Sequence, residues 1–134
     1  MTTQSNQLQA PLNWAGSLPE YLVYESLTSS FGKEEGIDFS YQSSRLGGRL
    51  FKGGVILDFF FTNPPDLAIN VQGEYYHYGM GSTVLQNDVL VRQQMAGDGI
   101  NLIFIDEDDI LNDVDYFVRE ALNYKDHSKL GGGR

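Results

Sequence analysis

One apolar run with a single acid in it constrains this chain more than any other feature. Gly53-Gly54-Val55-Ile56-Leu57-Asp58-Phe59-Phe60-Phe61 reads as a buried strand carrying Asp58. A second run, Ala68-Ile69-Asn70-Val71-Gln72-Gly73-Glu74-Tyr75-Tyr76-His77, reads as a strand that ends in a polar cluster. A carboxylate inside an apolar strand is costly to bury unless something compensates its charge. A metal ion would do so. If the two strands are neighbours, Asp58 and the end of the second run face one divalent cation. The plainer alternative is a structural ion pair between Asp58 and Arg45 or Arg49.

The rest of the chain supplies a frame for those strands. Residues 1–16 are polar and without period, and read as a flexible leader. Ser17-Leu18-Pro19-Glu20 is a helix start, with Ser17 as cap and Pro19 and Glu20 in the first turn. Leu22, Val23, Ser26 and Leu27 then share one face, which predicts a helix over 18–31 ended by Gly32 and Gly36. Residues 38–42 alternate as a strand. Residues 55–62 form the apolar strand, Asn63-Pro64-Pro65-Asp66 a turn, and 67–73 a further strand with two apolar faces, hence central. A helix is expected from Thr83 to about Ala96, with Leu85, Val89 and Met95 apolar and Gly97 and Gly99 beyond it. Residues 100–105 are a compact buried strand. A last helix runs from Asp108 or Asp109 to about Tyr124, with Ile110, Val114, Phe117, Val118, Ala121 and Leu122 facing inward. The tail, 125–134, is Gly-rich and reads as loose. The order is helix, three strands, helix, strand, helix: one α/β domain over 17–124, a mixed sheet of about four strands with helices packed against it.

Composition narrows the function classes. The chain has 134 residues, 41% of them hydrophobic and 13% aromatic, which suits one globular domain. It has no cysteine, so disulfides, thiolate catalysis and cysteine-held zinc are excluded. No apolar run reaches the roughly 20 residues of a membrane span. Residues 1–10 lack the basic and apolar regions of a signal peptide, so an intracellular location, in the cytoplasm or a host-cell cytosol, is expected. The net charge of −9 opposes generic nucleic-acid binding, which needs a basic face. Much of the excess acid crowds into Asp106, Glu107, Asp108, Asp109, Asp113 and Asp115, as suits a solvated helix start. Arg45, Arg49 and Lys52 lie together just before the Asp58 run and offer a local basic edge.

The ordered set Pro19-Glu20, Gly-Gly-Val-Ile-Leu-Asp58, Val71 to His77, Asp88 and Gly99 before an apolar strand resembles the PD-(D/E)xK nuclease superfamily. Within it, the chain looks most like the branch of very-short-patch repair endonucleases and of homing endonucleases with a Glu-Asp-x-His-Asp pattern. The resemblance covers about 17–124 and implies a restriction-endonuclease-like fold and a divalent-metal-dependent DNA endonuclease or nickase, of a kind found in phage and mobile elements. By this resemblance Asp58 is the central ligand of Mg²⁺ or Mn²⁺, and the backbone carbonyl of Val71 or Gln72 completes the inner sphere. His77 activates or positions the attacking water. Glu20 and Asp88 hold a metal-bound water or orient His77. The superfamily's acid and lysine on the second strand correspond to Gln72 and Glu74. The lysine is missing, and Glu74 is the alternative metal ligand. Arg45, Arg49 and Lys52 are candidate phosphate contacts, and Tyr75 and Tyr76 candidate stacking platforms. The implied partner is DNA, as duplex, nicked or branched, with a homodimer or larger assembly for two-strand cutting. RNA is a weaker reading. The alternative of another class is a non-catalytic binding or assembly module that keeps the fold.

Overall fold

A computed structural model describes residues 9–14, 16–41, 49–51, 55–73, 90 and 92–129, with backbone alone for 49–51 and 55–56. Helix α1 spans Leu18–Glu25. The Ser17 hydroxyl accepts from Glu20 N, and the Glu20 carboxylate accepts from Ser17 N. This reciprocal capping box satisfies two N-terminal donors. A π-turn over Ser26–Ser30 prolongs α1, and Gly32 (φ 65°) ends it in a left-handed conformation. Leu22, Val23, Ser26 and Leu27 are all buried, as their spacing predicts.

Among the described residues six short strands follow: β1 (Phe39–Tyr41), β2 (Arg49–Phe51), β3 (Val55–Leu57), β4 (Phe59–Phe61), β5 (Leu67–Gln72) and β6 (Asn101–Asp106). Helix α2 covers Glu107–Leu122. The main sheet has the order β1-β4-β5-β6; β4 is antiparallel to both β1 and β5, and β6 is parallel to β5. The mixed four-stranded sheet with flanking helices is therefore present, with β5 central. Strands β2 and β3 form a separate antiparallel pair.

The sheet separates two apolar layers. Alternate residues of its strands (Phe39, Tyr41, Phe59, Phe61, Leu67, Ile69, Ile103, Ile105) pack beneath α1 and α2, against Val23, Leu27, Ile110, Val118 and Ala121. Opposite them, Leu57, Ala68, Leu102 and Phe104 enclose Met95. Met95 belongs to helical residues 92–97, in the region where a helix is expected; residues 83–89 lie outside the described residues.

One expectation changes. The run 55–62 is not one strand. Leu57 and Phe60 join the same layer although three apart, so the side-chain alternation slips by one at Asp58. The cause is local: Asp58 N donates to Asn70 Oδ1 (2.8 Å), and Asp58 Oδ2 accepts from Val71 N (2.8 Å). Side chains replace the main-chain ladder at this point.

Described residues inside the expected leader and tail make specific contacts. Trp14 packs on Tyr21, Tyr24 and Tyr41. In the tail, Asp126 Oδ2 accepts from Phe104 N (2.8 Å) and pairs with Arg92 Nη2 (2.7 Å), while Asp126 Oδ1 accepts from Ser128 N and Oγ. Lys129 N donates to Asp106 Oδ2 (3.0 Å), and His127 Nε2 lies 2.9 Å from Glu120 Oε1. Residues 126–129 thus run along the edge of β6, where they occupy an outward N–H that an edge strand otherwise exposes.

Asp126→Ala deprives Phe104 N and Arg92 of an acceptor in one step. It should lower unfolding free energy by about 2–4 kcal/mol in urea titrations. A loss under about 0.5 kcal/mol, the ordinary surface value, would show that the edge contacts do not hold the segment.

Candidate active site at the carboxyl ends of β5 and β6

A cleft of about 410 Å³ opens where β5 and β6 end. Its walls are Ser17, Pro19 and Glu20 of α1, Asp58 at the strand break, Asn70 to Gly73 of β5, Phe104 of β6 and Glu107 of α2. The parallel pair makes this place. Both strands deliver their carboxyl ends to one side of the sheet, where open α/β sheets commonly bind ligands. The amino end of α1 meets them there.

Glu20 is held by its helix. As the third residue of the capping box it folds back onto the N-terminus, where the partial positive charge favours a carboxylate. Tyr41 Oη donates to the same oxygen, Oε1, that accepts from Ser17 N. Asp58 is held by its break in the ladder. Burial, then the charge of Glu20, push its carboxyl up from 3.8 to about 7, and the hydrogen bond from Val71 N opposes the shift only in part. Among the described residues Asp58 makes no ion pair, and the charged group that acts on it is a second acid, Glu20.

Of the expected site residues, Glu20, Asp58, Val71 and Gln72 come together at this cleft. Gln72 is buried, opposite Asp106 in the β5–β6 register. Glu74, Tyr75, Tyr76, His77, Asp88, Arg45 and Lys52 lie outside the described residues, as does the Arg49 side chain; the Arg49 backbone pairs with Leu57.

Two cleft residues escaped the sequence reading. In the sequence Asn70 is one polar residue of an apolar strand, and its shared face with Gln72 is the usable signal. Glu107 reads there as part of the acidic run of a helix start. The neighbouring Asp106, Asp108 and Asp109 carboxylates also cluster, with Lys129 Nζ 3.6 Å from Asp106 Oδ2 and 3.5 Å from Asp108 Oδ2.

No family model, curated protein or solved structure matches this chain. No helix among the described residues is long and apolar enough to cross a membrane.

The raised Asp58 value has a signed consequence for stability. The unfolded chain loses this proton near 3.8 and the folded chain near 7. Between those values the folded state binds more protons, so stability falls as pH rises from about 4 to 7 and the loss is complete above that window. In metal-free buffer, melting temperature should decline across this window in the wild type. Asp58→Asn should flatten that decline, and an unchanged slope would refute the shift.

Proposed function

We propose that this chain is a divalent-metal-dependent endonuclease or nickase that hydrolyses a phosphodiester of DNA, with its centre at Asp58. The observation that carries the reading is the juxtaposition of Asp58 and Glu20 at one cleft, with no ion pair to Asp58 among the described residues. A buried carboxylate whose charge is disfavoured by burial and by a neighbouring acid suits Mg²⁺ or Mn²⁺, hard ions that take oxygen ligands. Asp58 is the main ligand, with the Val71 carbonyl and either Glu74 or Gln72 as further donors. Such an ion supplies a more acidic bound water and charge neutralisation at the phosphate.

The chain's own groups act around it. Glu20 orients a water at the cleft wall, and Asn70 keeps the Asp58 backbone at the break. His77 takes the proton of the attacking water, with Asp88 in support. Arg45, Arg49 and Lys52 contact phosphates, and Tyr75 and Tyr76 stack on exposed bases. The substrate is duplex, nicked or branched DNA; cutting both strands requires a homodimer or larger assembly.

Two observations together favour the second reading, a non-catalytic binding or assembly module. The chain carries a net charge of −9, and its buried Gln72 stands where the superfamily has an acid. That combination suits a protein partner better than a polyanion.

The test is cleavage of supercoiled plasmid and of branched oligonucleotides with Mg²⁺ or Mn²⁺. Wild type should nick, and Asp58→Ala and His77→Ala should each lose roughly a hundredfold or more with the circular dichroism spectrum unchanged. Equal cleavage by Asp58→Ala sinks the site. Failure of folded wild type to cut any substrate transfers the assignment to the assembly module.

A further inference from the structure

We propose that Tyr41 and Gly16 clamp the Glu20 carboxylate in the cleft and thereby set the affinity of the site for a divalent cation. The inference rests on the reading of Asp58 and Glu20 as a cation site.

Two like charges side by side repel, and a glutamate side chain is long enough to swing into solvent. Something has to hold Glu20 near Asp58. The capping box supplies one donor, Ser17 N at 3.3 Å. Tyr41 Oη adds a second at 2.5 Å, from a different element. Tyr41 lies at the end of β1, opposite Phe59 in the register and so next to the Asp58 break. Its ring is 2% exposed and fixed between Trp14 (centroids 4.8 Å apart, 19° between planes) and Phe59 (4.9 Å). The hydroxyl therefore has little freedom to follow Glu20 elsewhere.

A phenylalanine would satisfy the packing, since Phe39, Phe59 and Phe61 occupy the same layer. The hydroxyl adds the hold on Glu20. Gly16 makes room for that hold. A Cβ there would overlap both the Tyr41 hydroxyl and Glu20 Oε1, and would also crowd Trp14 Nε1. The stacked tyrosine cannot retreat, so a Cβ at this position displaces the carboxylate. Tyr41 and Gly16 are positioning residues: neither touches the cation.

The test is titration of the full chain with Mn²⁺, read by electron paramagnetic resonance of free ion, alongside the metal-free melting temperature. Wild type should bind and Asp58→Ala should not. Tyr41→Phe and Gly16→Ala should each weaken binding about ten- to a hundredfold, the worth of one charge-assisted hydrogen bond. Glu20→Gln keeps the acceptor and removes the charge. It should weaken binding with little change in melting temperature, and adding Tyr41→Phe to it should cost less affinity than Tyr41→Phe alone. Wild-type affinity in both Tyr41→Phe and Gly16→Ala, with Asp58→Ala still unable to bind, overturns the clamp and leaves the cation site standing. Wild-type affinity in Asp58→Ala overturns both.

Discussion

The exchange between Asp58 and β5 decides the shape of everything around it. Asp58 N–H goes to the Asn70 side chain, and the Asp58 carboxylate takes Val71 N–H. Two ladder positions are thereby satisfied by side chains. Because no donor is left orphaned, the strand can break inside the sheet without the penalty of an unpaired buried group. The break separates β3 from β4, sends β3 into its own pairing with β2, and leaves an acid at the rim of the cleft. Without the Asn70 partner, the same apolar run would be free to continue as one strand, with its acid aimed into the layer around Met95.

Much of this architecture was legible because it rests on short-range pattern. The spacing of Leu22, Val23, Ser26 and Leu27 announced the buried face of α1, and the apolar runs at 67–73 and 100–105 announced a central strand and a buried strand parallel to it. Asp58 stood out because an acid in such a run demands an explanation. What stayed hidden depends on partners distant in sequence. Asn70 is one polar residue in a strand, and its use appears only when Asp58 lies opposite. Tyr41 is an ordinary strand aromatic until Glu20 arrives from another element. Asp126 and Ser128 belong to no periodic pattern, and one partner of Asp126 is the main-chain N–H of Phe104, which has no signature in the sequence. Glu107 was concealed by a sufficient simpler reason, the preference for acids in a first helical turn.

The cleft also joins elements that meet only in the finished fold. Its acids come from the start of α1, a break between two strands and the start of α2, while its floor is the end of β5. No fragment of the chain carries enough of these walls to form the site alone. An ion that bound there would stabilise the native state selectively, because the unfolded chain offers it only scattered carboxylates. Burial of Asp58 next to Glu20 acts in the other direction when no cation is present. The site is therefore a local source of instability that a ligand of the right charge would relieve.

Trp14 is the chain's single tryptophan. It is half-buried, its indole N–H donates to the Ser17 carbonyl (3.0 Å), and its ring lies against Tyr41. One chromophore thus touches both the cap of α1 and the phenol bonded to Glu20. Indole emission responds to local polarity and to the fields of nearby charges. The chain carries a built-in optical gauge at the edge of its acidic cleft, readable without label and without spectral overlap from a second tryptophan.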